Sequence, residues 1–194
     1  MKHIHAFDFD GTITVNDSLP AFLLFSRGTL RFVLAFILLS PFMVLSLLRL
    51  YEPGRAKELL FCCLFKGMSA DRFRELCERF ARSGRVELRP QALMAISQAQ
   101  ASGHEVFIVT ASVNQWVQGF FPDIRVIGTE VQVVDGKLTG RFSTPNCSGR
   151  EKVRRLLAVC PDRSLYHLTA YGDSRGDCEL LGFADENHYR PFRE

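Results

Sequence analysis

Apolar positions come in short runs separated by polar breaks, and the runs differ in period along the chain. Residues 4–9 form an apolar run of strand length that carries one charge, Asp8, before Gly11-Thr12 breaks it. From about Asp17 to Arg89 the spacing is helical, with no convincing strand. Pro41, Pro53-Gly54, Gly67 and Ser83-Gly84 divide this stretch into several expected helices. Residues 90–102 read as an amphipathic helix ended by Gly103, and 105–110 as an apolar strand. A helix is expected over 114–120 and a strand over 124–127. Runs 131–134 and 137–142 flank Asp135-Gly136, the signal of a two-residue hairpin turn. A helix over 149–159, a strand over 165–171, a short helix over 178–181 and a last strand over 183–187 complete the pattern.

Strands that alternate with helices predict an α/β fold, with a parallel sheet covered by helices on both faces. The helical stretch after the first strand is too long for a simple crossover. It is expected to be an inserted all-helical cap at 14–89, leaving 1–13 and 90–194 as a three-layer, Rossmann-like core. A chain of 194 residues accommodates this arrangement.

Composition changes the picture little. The chain is 47% hydrophobic and 23% charged, which is ordinary for a globular protein. Its net charge of +3, spread over single and paired basic residues, gives no nucleic-acid footprint, and no nucleic-acid partner is expected. Six cysteines with no C-x-x-C pair read as reduced thiols in a cytoplasmic protein. No signal peptide is expected, because Met1-Lys2-His3 leads straight into the first strand.

Loops at the carboxyl ends of parallel strands are where such sheets place chemistry. Four polar groups fall there: Asp8-x-Asp10-Gly11-Thr12, Thr110-Ala111-Ser112, Lys152 at the start of a helix, and Gly172-Asp173-Ser174-Arg175-Gly176-Asp177. Clustered carboxylates repel one another, and a hard divalent cation such as Mg2+ relieves that repulsion through oxygen ligands. Such a cation also lets a phosphate approach carboxylates. One carboxylate can attack phosphorus, and a second, two residues on along an extended segment, can handle the proton. A lysine, a hydroxyl and loop amides can hold the transferring oxygens.

In this order the four groups resemble the four motifs of the haloacid dehalogenase (HAD) superfamily. The resemblance implies that Asp8 is the nucleophile and Asp10 the acid and base. It implies that Thr110 and Lys152 bind phosphate, with Ala111, Ser112, Gly11 and Thr12 contributing. It also implies that Asp8, Asp10 (through its carbonyl) and Asp173 hold Mg2+, and that Asp177 orients Lys152 and metal-bound water. The position of the insert, with 135–141 and 149–153, is similar to the phosphoserine phosphatase branch. Asp17, Gly54-Arg55-Ala56 and Tyr189-Arg190-Pro191 resemble the HAD-type bacterial phosphatidylglycerophosphate phosphatases, and make Asp17 and Arg55 candidate substrate residues. Asp17 stands where phosphoserine phosphatases typically carry a glutamate. Ala111-Ser112 replaces their usual glycine pair.

One stretch of the insert stands apart. Residues 32–48 contain no charge over seventeen positions and lie between Arg31 and Arg49, at the lower limit for a membrane span. A single crossing is excluded, because it would separate Asp8 from Thr110, Lys152 and Asp173. Pro41 is expected to break the helix into two short ones. The stretch is then either buried against Leu59-Leu60-Phe61 and Leu64-Phe65, or touches one leaflet of a membrane as a peripheral contact on the cytoplasmic face. The expected substrate is a phosphorylated small molecule or a lipid phosphate. An inactive protein of the same fold is the third reading, and oligomeric state is open.

Overall fold

The computed structural model describes residues 2–48 and 53–193; Arg49 lies outside them. Five parallel strands make the sheet: β1 (Lys2–Phe7), β2 (Glu105–Val113), β3 (Arg125–Thr129), β6 (Tyr166–Gly172) and β7 (Glu186–Tyr189), in the order β3-β2-β1-β6-β7. Strand β1 is therefore central, paired with β2 and β6. Its last residue, Phe7, lies level with Ile108 and Tyr171, so β1 and β6 end almost together while β2 runs on past them to Val113. Strands β4 (Val131–Val134) and β5 (Lys137–Phe142) form a separate hairpin.

Side-chain alternation along β1 feeds two cores. Ile4 and Ala6 point into a cluster with Leu156, Leu180 and Leu181, from helices α6 (Arg150–Val159) and α7 (Cys178–Phe183). Phe7 faces the opposite side, with Ala92 and Ile96 of α4 (Pro90–Ala101) and Trp116 of α5 (Asn114–Gln118). Helices thus cover both faces, as the alternating pattern predicts. The six cysteines are free.

The insert is all helical among its described residues: α1 (Ser18–Leu47), α2 (Pro53–Phe65) and α3 (Ala70–Ala81). It enters and leaves through one paired crossing, where Val15 donates to the Glu87 carbonyl at 3.0 Å and Arg89 to that of Ile13 at 2.8 Å. An aromatic cluster binds it to the core. Phe22 stacks on Trp116 with ring centroids 4.6 Å apart and also meets Phe65, Phe73 and Phe80. The hairpin grips the insert from the other side: Gly67 donates to the Leu138 carbonyl and Leu138 to that of Met68, both at 2.8 Å.

The expected break at Pro41 is not where α1 bends. Proline removes one backbone donor, but Ser40 Oγ donates to the stranded Ile37 carbonyl at 2.8 Å, and the helix runs through. The break falls instead at Gly28, whose φ of 75° and ψ of 165° suit glycine. Beyond it the outer half of α1 stands largely in solvent. Ile37 and Leu38 are 63% and 68% exposed, and Ala35 is buried. The reading of 32–48 as a buried cap core is therefore corrected: α2 is one narrow helix and covers only one side of this arm.

The aromatic cluster makes a contrast measurable. Phe22→Ala leaves a cavity between insert and core and is expected to cost about 3–5 kcal/mol. Phe36→Ala, on the exposed arm, is expected to stay within about 0.5 kcal/mol. Denaturant unfolding monitored by Trp116 fluorescence measures both.

Candidate active site

The site is built from the ends of β1, β2 and β6 and the first turn of α6. Asp8 follows β1 directly and is tied back by its amide, which donates to the Tyr171 carbonyl at 2.9 Å. The chain then leaves the strand in a wide turn, Phe9–Ile13, with Gly11 at a φ of 80°. Asp10 sits in this turn with its own backbone still extended, at a φ of −73° and a ψ of 120°. Glycine is required at 11, since a Cβ would stand 2.6 Å from Asp173 Oδ2.

Lys152 is the centre. It is fully buried, and its Nζ donates to Asp8 Oδ1 at 2.5 Å, to Asp177 Oδ1 at 2.6 Å and to the Val109 carbonyl at 2.7 Å. Three donors meet three acceptors. Arg155, one turn on, places this helix by donating to the Pro145 carbonyl at 2.6 Å and to that of Gly128. Asp177 is equally saturated: its Oδ2 accepts from the amides of Asp173 at 3.2 Å and Ser174 at 3.0 Å, and from Ser174 Oγ at 2.8 Å.

Burial governs the charges. It pushes the Asp8 carboxyl up to about 7, against the pull of Lys152, while Asp177 and Asp10 push the same way. For Lys152 burial opposes the charge, but Asp8 and Asp177 prevail and raise its pKa. Burial works against Asp177 too, yet Lys152 and Ser174 hold its pKa below the usual value. Burial and the nearby Asp17 raise Asp10, against hydrogen bonds from Ser112 and Ser18. Burial raises Asp173, partly offset by Arg193.

Carboxylate oxygens of Asp8, Asp173 and Asp177 lie within 4.8 Å of one another. Three buried carboxylates this close suit a hard dication with a preference for oxygen, so the donor set fits Mg2+. Both oxygens of Asp177 accept hydrogen bonds, from Lys152 and from the Asp173–Ser174 turn, and those of Asp173 accept from Thr12 and Arg193, whereas Asp8 Oδ2 makes no hydrogen bond among the described residues. Arg193, absent from the expected site, places its guanidinium on Asp173. The Asp10 carboxylate lies outside this cluster, as its oxygens accept from the Ser18 amide at 2.6 Å and from Ser112 Oγ. Any metal bond from Asp10 falls to its carbonyl.

A cavity of about 920 Å³ opens beside these groups. Asp8, Asp10, Gly11, Asp17, Thr110, Ala111, Ser112, Lys152, Asp173 and Asp177 all line it. Several expected phosphate donors are already spent. The Gly11 amide donates to Thr14 Oγ1 at 3.0 Å and the Ser112 amide to Thr110 Oγ1 at 3.0 Å. Thr12 is buried, does not line the cavity, and donates to Asp173 Oδ1 at 3.4 Å. Asp17 caps α1 through the Leu19 amide at 2.8 Å and lies at the cavity wall. Arg55 is exposed and does not line the cavity. Lys57, two residues on, does line it, although a lone lysine on a helix carries no motif in the sequence.

Removing the central cation tests this arrangement. Lys152→Met leaves two buried carboxylates unpaired, an expected loss of about 3–5 kcal/mol near neutral pH. The unpaired acids acquire pKa values above their unfolded ones. Their penalty is largest at high pH and shrinks as they protonate, so the deficit narrows between pH 8 and pH 5. Denaturant midpoints across that range read the effect.

The family model for haloacid dehalogenase-like hydrolases matches residues 6–182. Protein CicA of Caulobacter vibrioides is 37% identical over 198 residues, covering 97% of this chain and 86% of that protein. A Bordetella pertussis protein of unknown function superposes with a TM-score of 0.77 at 22% identity, over 96% of this chain and 89% of that one. A probable phosphoserine phosphatase from Vibrio cholerae gives 0.70 at 15% identity, over 98% of this chain and 57% of that one. These solved structures share the fold; the family model spans most of the chain and includes all four polar motifs. The chain belongs to the haloacid dehalogenase-like hydrolase family.

Proposed function

We propose that this protein hydrolyses phosphomonoesters through a phospho-aspartate at Asp8. The observation that carries the reading is the buried Lys152 held between Asp8 and Asp177, with Asp173 beside them and Asp10 at the same cavity. Lys152 engages one oxygen of Asp8, while Oδ2 makes no hydrogen bond among the described residues. Asp8 attacks phosphorus, the P–O bond to the alcohol breaks, and Asp10 delivers a proton to the leaving oxygen. Asp10 then takes a proton from water, whose oxygen attacks phosphorus and releases phosphate from Asp8. Mg2+ held by Asp8, Asp173 and the Asp10 carbonyl would neutralise charge on the transferring group. Thr110 and Ala111 line the cavity beside Asp8, where they would meet the phosphoryl group, and Ser112 Oγ donates to the Asp10 carboxylate.

The wall of the cavity favours a lipid phosphate over a soluble metabolite of the phosphoserine kind. Phe36 and Ser46 from the outer half of α1 line it together with the catalytic carboxylates. That half continues outward as an apolar surface of Leu34, Ile37, Leu38, Val44 and Leu45. The segment Ser18–Phe42 is apolar and long enough to span a bilayer, but its mean burial is low and its base is packed in the insert around Phe22. Lying along one leaflet at the cytoplasmic face keeps the two parts of the site on one side.

Asp8→Asn is expected to lower turnover of p-nitrophenyl phosphate by at least about 1,000-fold. Undiminished turnover by that variant, or full activity after exhaustive chelation, would refute the mechanism. For the lipid reading, wild-type protein is expected to float with anionic liposomes and Phe36→Asp and Leu45→Asp to remain in the soluble fraction. Equal flotation of all three, or none of the wild type, returns the substrate to the soluble class.

A further inference from the structure

Lys57 is a half-buried cation that the mechanism above does not use. It lies on α2 of the insert, and its Nζ donates to the Ala111 carbonyl at 2.7 Å. That carbonyl already accepts from Thr129 Oγ1 at 2.8 Å, so it does not need the lysine. Nζ stands 5.9 Å from the centre of the Trp116 ring, and Lys57 makes no ion pair among the described residues. Burial lowers its pKa, and the charges of Asp10, Asp17 and Asp8 act in the opposite direction.

Two lysines line the cavity, and they differ in what they have left to give. Lys152 has committed all three N–H groups to Asp8, Asp177 and Val109. Lys57 has committed one of three. An incoming phosphate dianion meets the carboxylates of Asp8, Asp10, Asp17 and Asp173 on the same walls. Of the two lysines, the one with donors to spare is supplied by the insert; the third cation on the wall, Arg193, is already turned onto the Asp173 carboxylate.

We propose that Lys57 binds the substrate's phosphoryl group, giving its two uncommitted N–H groups to phosphoryl oxygen, so that the helical insert shares in holding the reacting group. This rests on the phosphomonoesterase reading. It makes Lys57 a substrate-binding residue and separates it from a mere pin between insert and core.

Binding of inorganic phosphate in the presence of Mg2+, measured by titration calorimetry, tests it without requiring turnover. Lys57→Gln keeps a donor for the Ala111 carbonyl and removes the charge; it is expected to weaken phosphate by about tenfold or more. Lys57→Arg keeps the charge and is expected to stay within about threefold of wild type. Lys57→Met replaces the amide variant if that one does not fold. A pin would lower the melting temperature and leave phosphate affinity unchanged, and unchanged affinity in Lys57→Gln overturns the proposal. A wild-type protein that neither binds phosphate nor hydrolyses p-nitrophenyl phosphate overturns the phosphomonoesterase reading itself.

Discussion

Everything near the sheet's carboxyl edge depends on one ammonium group. Lys152 is buried among three oxygens, two of them carboxylate, and none of the three partners is close to it in sequence. A buried cation without such partners is untenable, and two buried carboxylates without the cation are equally so. The interaction therefore ties β1, β2, α6 and the loop after β6 into one geometry. Arg155 and the Ser174–Asp177 capping turn are supports for it, fixing the lysine from one side and the aspartate from the other.

The insert answers to a different constraint. It joins the core through a short paired crossing near Val15 and Arg89, which alone would let it swing. Phe22, Trp116 and their aromatic neighbours remove that freedom, and the hairpin clasps α2 from the far side. The cavity wall is consequently part core and part insert. Asp8 and Thr110 come from strand ends, while Ala56, Lys57 and Leu60 come from α2.

Most of the core was legible in the sequence. Strand runs, the Asp135-Gly136 turn and polar residues after strands are local signals, and each element lies where they predict within a few residues. Asp8, Thr110 and Asp173 meet at one cavity because strand ends converge whatever the packing details, and Lys152 reaches it from the first turn of α6. Hydrogen-bond allocation was not legible. That Gly11 and Ser112 spend their amides internally, and that Thr12 serves Asp173, depends on turn geometry that residue types do not encode. Pro41 misled for a related reason: its helix-breaking cost is met by a neighbouring serine hydroxyl. Lys57 and Arg193 reach the site from segments with no motif.

The turn of backbone at Gly28 divides α1 into two parts that answer to different surroundings. The inner part is locked to the aromatic cluster, and a change there is felt by the whole insert. The outer part touches little besides α2 and the cavity mouth. Its exposed positions, such as Ile37 and Leu38, can be exchanged with small effect on folding. Phe36 and Ser46 are the exception, since they line the cavity, so the arm is separable in its packing but joined to the site at those two residues.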